Sequence, residues 1–329
     1  MSLAGHYWTV AARLRHAVAP AACPETRPFE AAVIDPSLGP LRLTGRLREV
    51  PGADELLVVF HGLGGSIDSH YMLRATKVAE AAGLSSLRLN ARGADGGGED
   101  FPHAGLTADL HAALASPQLA RYRRLHLLGY SLGGHVVLRL ATEAADARLG
   151  AVAAVCAPLD LDLSSTAFDA PWRWPYRRYI LDSLKRLYAP VAARRIGRLT
   201  VEDVLRIRYL REWDERIVGP RHGFAGAADY YARESVAPRL ANLRLPALLL
   251  AARHDPMVPA ATLRLVLASP APNLEARWIE RGGHVAFPPS LGIEAQVIAW
   301  LRSAGPVAPP FPARLHAREP SAPRHPPLP

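Results

Sequence analysis

The sequence predicts an α/β protein built on a parallel, doubly wound sheet, and two observations support that prediction. Short apolar runs typical of buried strands alternate with stretches of helical periodicity, and a helix that crosses between parallel strands covers one face of the sheet. The chain also has the length and composition of a folded protein, with 329 residues, of which 49% are hydrophobic and 21% charged. This composition argues against wholesale disorder, a coiled coil or a collagen-like rod.

The predicted elements follow one another in chain order. An antiparallel hairpin is expected at residues 29–48. Buried strands are predicted at residues 55–60, 86–90, 124–130, 151–157, 246–252 and 274–280. Helices are predicted at residues 70–82, 106–115, 132–145, 260–268 and 291–302. We expect residues 1–302 to form a single domain.

Residues 160–242 interrupt this alternation, because they contain helical stretches but no strand pattern. They are rich in aromatic side chains: Trp172, Trp174, Tyr176, Tyr179, Tyr188, Tyr209, Trp213, Phe224, Tyr230 and Tyr231. An aromatic helical insertion between two core strands is typical of a cap over an active site. The alternative is a helical outrigger that only packs against the domain.

The end of the chain has a different composition. Residues 303–329 contain nine prolines. Proline lacks the backbone N–H that helices and sheets use, so this segment is predicted to be an extended, disordered tail. The alternative is a proline-rich ligand for a partner.

The charge balance raises the question of nucleic acid. There are 39 basic and 30 acidic residues, for a formal charge of +9. The excess is almost entirely arginine, and no nucleic-acid motif accompanies it, so we expect no nucleic-acid binding.

Cysteine and histidine usage argues against other classes of site. With only Cys23 and Cys156, a disulfide-stapled secreted fold is excluded. Histidines at metal-ligand spacing are not evident, and we expect neither a metal nor a cofactor.

The membrane expectations rest on apolar run length. No run approaches the roughly 20 residues of a membrane-spanning helix. The N-terminus lacks a signal-peptide pattern, so we expect a cytoplasmic protein. Two interpretations of the first 20 residues stay open: a short helix packed on the domain, or weak peripheral contact with a lipid surface through one apolar face formed by Tyr7, Trp8, Ala11, Leu14 and Val18.

The sequence GYSLG at residues 129–133 indicates a nucleophilic serine. It follows a predicted strand and precedes a predicted helix, so Ser131 would lie on a strained strand-to-helix turn, where flanking glycines avoid side-chain clashes. We therefore predict Ser131 as a nucleophile.

A serine hydroxyl needs a base to take its proton, and the base needs an orienting carboxylate. His284 directly follows the last predicted strand, and Asp255 follows the strand before it. We predict His284 as the base and Asp255 as the acid. Asp160 and Asp162 follow an earlier strand and stay as competing acids.

Acyl transfer also needs donors for the developing oxyanion. The backbone N–H of Leu132, directly after Ser131, is one candidate. The second is the N–H of Leu63, in the HGLGG loop at residues 61–65 after a predicted strand. His61 is predicted to form structural hydrogen bonds in this loop.

Together these residues resemble the α/β-hydrolases and, more narrowly, the YheT-like (AB-hydrolase-4) esterase branch. The matching motifs are HGL at 61–63, NARG at 90–93, HAG at 103–105 followed by Asp109-Leu110, GYSLGG at 129–134, and Asp255-Pro256. Gly5, His6 and Thr9 match a family pattern near the N-terminus. The order Ser131, Asp255, His284 is also the order expected in this family. The resemblance implies an α/β-hydrolase fold with a helical cap.

The expected function is that of a serine carboxylic-ester hydrolase acting through an acyl-enzyme. The aromatic insertion favours short- or medium-chain acyl esters or glycerolipids over peptides. Three alternatives stay open: an acyltransferase with an alcohol acceptor, a thioesterase or amidase with the same machinery, and a non-catalytic binding module that retains the serine turn.

Overall fold

A computed structural model describes residues 3–20, 22–143, 146–269 and 271–304. The strands are β1 (Arg27–Asp35), β2 (Gly39–Arg48), β3 (Glu55–Phe60), β4 (Ser85–Leu89), β5 (Arg124–Tyr130), β6 (Leu149–Val155), β7 (Ala247–Ala252) and β8 (Leu274–Ile279). They form one sheet in the order β1-β2-β4-β3-β5-β6-β7-β8. Strand β2 is antiparallel to both of its neighbours, and all other neighbouring strands are parallel. The predicted fold class is confirmed.

The described residues contain twelve α-helices, five of which cover the two faces of the sheet. They are α1 (Leu3–Val18), α2 (His70–Ala81), α3 (Thr107–Leu114), α4 (Leu132–Ala141), α5 (Leu161–Phe168), α6 (Trp174–Ala193), α7 (Val201–Leu205), α8 (Leu210–Trp213), α9 (Gly219–His222), α10 (Ala227–Glu234), α11 (Ala260–Leu267) and α12 (Ile293–Ser303). Helices α3, α4 and α11 pack on one face, and α2 and α12 pack on the other.

Strand β3 shows why the strands read as continuous apolar runs. Leu56, Val58 and Phe60 pack into the core on one face of the sheet, whereas Leu57 and Val59 pack into the core on the other. Successive side chains point to opposite faces, so a strand covered on both sides needs apolar residues at every position.

Helices α5 to α10 lie between β6 and β7, and we call residues 156–246 the helical insertion. No strand interrupts it, as the sequence predicts. It has an apolar cluster of its own, built largely from the side chains of Phe168, Tyr188, Trp213, Phe224, Tyr230 and Tyr231. Leu63, in the loop after β3, and Leu132, the first residue of α4, lie at the carboxyl edge of the sheet and pack against this cluster. The insertion therefore lies over that edge.

A buried charge network joins the insertion to the loop after β4. The Arg92 guanidinium, 2% exposed, donates to the carboxylates of Asp35, Asp100 and Asp109. Arg221 of the insertion pairs with Asp35 and Asp100. Removing one partner from such a buried network leaves uncompensated charge, which is strongly destabilising.

Two features from the sequence analysis remain, namely membrane-spanning helices and the proline-rich end of the chain. Among the described residues, no helix combines the length and the apolar composition needed to cross a bilayer. Helix α12 ends at Ser303, and residues 305–329 of the proline-rich segment lie outside the described residues.

Candidate active site

Ser131 occupies the sharp turn between β5 and α4. Its backbone has φ 52° and ψ −123°, a combination that L residues rarely adopt. A Cβ atom at Gly129 would lie 2.2 Å from the carbonyl oxygen of Gly133, so only glycine fits there. The strand-turn-helix arrangement predicted around Ser131 is present, and it places the serine at the carboxyl edge of the sheet.

The structure brings Ser131, His284 and Asp255 into contact. The Nε2 atom of His284 lies 2.9 Å from the Oγ of Ser131. The Nδ1 atom of His284 lies 2.9 Å and 3.1 Å from the two carboxyl oxygens of Asp255. A carboxylate only accepts hydrogen bonds, so the imidazole proton belongs on Nδ1, and Nε2 accepts the serine proton.

Backbone groups hold Asp255 in the orientation that faces His284. Its Oδ1 accepts hydrogen bonds from the N–H groups of Met257 (2.8 Å) and Val258 (2.9 Å). Arg173, from the insertion, donates to the Pro256 carbonyl at 2.8 Å. The loop after β7 is therefore held by its own hydrogen bonds and by a contact from the insertion.

The competing acids have other partners. The carboxylate of Asp160 accepts a hydrogen bond from the Leu163 N–H and so caps the N-terminus of α5. Asp162 forms an exposed ion pair with Arg211. Among the described residues, Asp255 is the acid that contacts His284 through its side chain.

Cys156 lies beside this pair, and the ligand atoms of Cys156, Asp255 and His284 all lie within 4.8 Å of one another. Burial raises the pKa of the Cys156 thiol well above its usual value. Because the thiolate is the form that binds metals, this environment disfavours ligation. The three groups fit a hydrogen-bonded acid–base pair with a buried thiol next to it.

The two predicted oxyanion donors come from the start of α4 and from the loop after β3. Leu132 is the first residue of α4, so its N–H has no partner one turn earlier in the helix. Leu63 lies in the loop after β3, and the preceding Gly62 approaches Ser131 so closely that a Cβ would lie 2.8 Å from the serine Cβ.

His61 shapes that loop through its ring nitrogens. Its Nδ1 lies 2.8 Å from the Gly62 carbonyl, and its Nε2 accepts a hydrogen bond from the Ala91 N–H at 3.0 Å. Burial lowers the pKa of His61 to about 4, so the ring is neutral at pH 7. These contacts agree with the structural part predicted for it.

Sequence reasoning did not assign a function to Thr9 of α1. Its Oγ1 accepts a hydrogen bond from the backbone N–H of His284 (2.8 Å) and donates one to the Gly5 carbonyl (2.8 Å). Gly5 packs directly on the His254 carbonyl, and a Cβ at Gly283 would lie 2.2 Å from the Gly5 oxygen. Helix α1 therefore contacts the loops that carry both Asp255 and His284. The signal in the sequence was the spacing of Gly5 and Thr9.

Helix α1 also contacts the insertion. The Nδ1 atom of His6 lies 2.7 Å from the Tyr176 hydroxyl, and the Arg13 guanidinium lies 3.3 Å from the centroid of the Tyr179 ring. The apolar side chains on its outer side stay exposed: Leu3, Tyr7, Val10, Leu14 and Val18. One face of helix α1 therefore packs against the protein, and the apolar side chains on the other face are exposed.

A cavity of about 840 Å³ connects these elements. Ser131, His284, Leu63 and Leu132 line it from the sheet side. The insertion contributes mainly aromatic and apolar side chains, among them Leu161, Phe168, Trp172, Tyr176, Tyr179, Ile180, Leu184, Trp213, Tyr230 and Tyr231. The insertion thus lies against the cavity that holds Ser131, as expected of a cap.

Comparison with known proteins places this fold in a class. A family model described as the alpha/beta hydrolase fold matches residues 55–290. The chain therefore belongs to the α/β-hydrolase family. Within that family it is YheT-like: it is 31% identical to the Escherichia coli (strain K12) protein named "Putative esterase YheT", over 74% of this chain and 76% of the relative.

More distant relatives carry related names. The chain is 24% identical to a human phospholipase, ABHD3, over 70% of this chain and 58% of the relative. It is 25% identical to a monoacylglycerol lipase of Saccharomyces cerevisiae, over 71% of this chain and 55% of the lipase. It thus spans little more than half of these two proteins. The Pyrococcus furiosus esterase Pf2001 shares the fold, with a TM-score of 0.56 at 16% identity over 85% of this chain and 92% of the esterase.

Proposed function

We propose that the protein is a serine carboxylic-ester hydrolase. The observation that supports this most directly is the unbroken line of contacts from the Ser131 Oγ through the His284 imidazole to the Asp255 carboxylate. Ser131 attacks the acyl carbonyl while His284 takes its proton and then passes it to the departing alcohol. Asp255 keeps the imidazole in the required tautomer and stabilises its positive form.

The N–H groups of Leu63 and Leu132 hold the oxygen that becomes negative in the tetrahedral intermediate. Removing one such donor costs about 3 kcal/mol of transition-state stabilisation. Water then attacks the acyl-enzyme, with His284 as the base again, and releases the acid. No step in this sequence requires a cofactor.

The cavity supports a small ester or lipid substrate. Its aromatic and aliphatic lining favours an apolar acyl or alcohol group, and its volume of about 840 Å³ holds a short- or medium-chain ester or a glycerolipid. The names of the relatives, an esterase, a phospholipase and a lipase, point to ester substrates as well.

Labelling with a fluorophosphonate probe tests the nucleophile. The wild-type protein is expected to be labelled, and Ser131→Ala to lose all label. Ser303→Ala, at the exposed end of α12, serves as the matched control and should keep the label. A wild-type protein that takes no label would favour the non-catalytic binding module, and label that persists in Ser131→Ala would place the nucleophile elsewhere.

A substrate panel separates the remaining chemistries. A chain-length series of p-nitrophenyl esters, with matched thioesters and amides, is expected to show ester turnover as the fastest reaction. Product analysis with added ethanol or glycerol then separates hydrolysis from acyl transfer, because only an acyltransferase forms the new ester as its main product.

Weak contact with a lipid surface stays a proposal. Tyr7, Leu14 and Val18 are 57%, 61% and 87% exposed on one side of α1, and Leu14 lies at the cavity. A liposome flotation assay should show less partitioning when residues 1–20 are removed. Equal partitioning of both forms would end this proposal.

A further inference from the structure

A second polar cluster lines the same cavity, on the side of the insertion. It consists of Ser164 and Ser165 on α5, Asp214 after α8, and Tyr231 on α10. Asp214 is 8% exposed and begins a π-helical turn, Asp214–Val218. Such turns are rare and are often found at functional sites.

Three members of the cluster form a chain of hydrogen bonds. The Tyr231 hydroxyl lies 2.6 Å from the Oδ2 of Asp214 and 2.9 Å from the Oγ of Ser165. Because tyrosine has one phenolic proton and a carboxylate only accepts, Tyr231 donates to ionised Asp214 and accepts the proton of Ser165. The hydroxyl protons of Ser165 and Tyr231 therefore both point along this series of hydrogen bonds toward the Asp214 carboxylate.

The cluster has unused hydrogen-bonding capacity. Within the described ranges, the Oγ of Ser164 is buried without a hydrogen-bond partner. Tyr231 provides the one hydrogen bond found to the Asp214 carboxyl among those residues. Arg211 lowers the pKa of Asp214 electrostatically, but its ion pair is with Asp162. Buried polar groups are nearly always hydrogen-bonded, so two incompletely bonded groups that line one cavity form a candidate ligand site.

We propose that Asp214 and Ser164 bind a hydroxyl group of the substrate, so that the enzyme prefers esters carrying a free hydroxyl on their acyl or alcohol part. This inference rests on the proposed ester hydrolysis at Ser131. A hydroxyl is both donor and acceptor, so it matches a carboxylate, which accepts, and a serine hydroxyl, which can donate. The substrate class is a monoester of a polyol or an ester of a hydroxy acid.

The protonation of Asp214 fits a neutral ligand group better than a charged one. Burial raises the pKa of Asp214 to about 7, although the Tyr231 hydrogen bond opposes this shift. A hydroxyl can donate to the ionised carboxyl or accept from the protonated one, whereas an ammonium group matches only the ionised form. Phe168 and Trp213 line the cavity alongside the cluster and would contact the apolar part of the same substrate.

Two matched substrate pairs test the proposal on the two sides of the ester. Glyceryl monobutyrate is compared with propyl butyrate, and p-nitrophenyl 6-hydroxyhexanoate with p-nitrophenyl hexanoate. The wild-type enzyme is expected to prefer the hydroxylated member of at least one pair by about tenfold or more in kcat/KM, because a site built for a hydroxyl leaves its own polar groups unpaired with the analogue.

The variants are Asp214→Leu and Ser164→Ala, and the measured quantity is the ratio of kcat/KM within a pair. This ratio does not change when part of the protein is misfolded. Asp214→Leu should reduce the preference to about threefold or less, and Ser164→Ala should reduce it by about threefold or more. Asp182→Asn, an exposed acid on α6, is the matched control and should keep the wild-type ratio.

Three results would overturn the proposal. Equal turnover within both pairs by the wild-type enzyme would refute hydroxyl recognition and leave ester hydrolysis standing. A wild-type preference that survives in both variants would place hydroxyl recognition elsewhere. A protein that turns over no ester and takes no fluorophosphonate label at Ser131 would refute the proposed function, and this inference with it.

Discussion

The carboxyl edge of the sheet and the helical insertion line one cavity, yet they differ in how completely their polar groups are bonded. At the sheet edge, Asp255 accepts hydrogen bonds from two backbone N–H groups and from His284. In the insertion, Asp214 has a single described donor, and Ser164 has none. A fully bonded carboxylate holds its partner in one orientation, whereas a partly bonded one has capacity for a ligand.

This difference in hydrogen bonding indicates which region suits catalysis and which suits substrate recognition. Groups that must act on a reacting atom need fixed geometry before the substrate arrives, and strands in register together with short loops provide it. Groups that recognise a substrate need free donors and acceptors. In our proposals, the chemistry therefore belongs to the sheet edge and the selectivity to the insertion.

The largest expected effect tests whether the acid belongs to the sheet edge. Asp255→Asn should lower kcat by about 10³- to 10⁴-fold, because an amide cannot hold the imidazole in the required tautomer. Steady-state kinetics with a p-nitrophenyl ester measures this. Asp162→Asn, the matched change in the insertion, should alter kcat by less than about twofold, on the basis of its exposed position. The reverse pattern would move the acid into the insertion and break the comparison.

A second prediction concerns the partly bonded acid. Burial raises the pKa of Asp214 to about 7 in the folded protein, from 3.8 for an exposed aspartate. A raised pKa means that its contribution to stability is present below about pH 4 and is lost as the pH rises toward 7.

Asp214→Asn removes this titration. Its free energy of unfolding, relative to the wild type, should therefore increase between about pH 4 and pH 7, by up to about 4 kcal/mol, and level off above pH 7. Denaturant unfolding at a series of pH values measures the difference. A difference that is flat with pH would show that Asp214 is as well stabilised as an ordinary exposed acid.

The smallest expected effect sharpens the comparison at α1. Thr9→Val keeps the shape of the side chain but removes the acceptor for the His284 N–H. We expect kcat to fall by up to about tenfold with little change in KM, because one hydrogen bond contributes up to about 1.5 kcal/mol and its loss removes a positional constraint on the imidazole.

Thr9→Ser is the matched control, because it retains the hydroxyl and should keep kcat within about threefold of the wild type. If Thr9→Val and Thr9→Ser behave alike, the hydroxyl is not the group that positions His284. If KM changes as much as kcat, the helix acts on substrate binding and not on the imidazole.

Much of the sheet and its edge could be read from local pattern. Strand β3 is apolar at five successive positions, Leu56 to Phe60, because both of its faces are buried, and that requirement is visible in the sequence. The predicted helix of residues 132–145 ends earlier, at Ala141, although its start after Ser131 is as expected. Asp255 and His284 could be chosen because each directly follows a strand of a parallel sheet, and such strands end at one edge.

The contacts made by the insertion and by α1 could not be predicted from local pattern in the same way. Asp214 lies in the sequence WDER, where charged neighbours give no sign of burial, and its contact with Tyr231 depends on how α10 packs. Thr9 and His284 are 275 positions apart, and no periodicity relates them. The pattern of Gly5 and Thr9 marks the N-terminal segment but does not identify His284 as its partner, because contacts formed by helix packing are not encoded in local periodicity.

The sequence by itself determined the order of strands and helices, the serine turn and the candidate acid and base, because periodicity, glycine placement and strand ends are local properties of a chain. Only the tertiary structure decided that α1 supports the His284 loop, that the Arg92 network joins the insertion to the sheet, and that Asp214 is left with unused capacity. These depend on which surfaces exclude water together, and that is a property of the whole packed molecule.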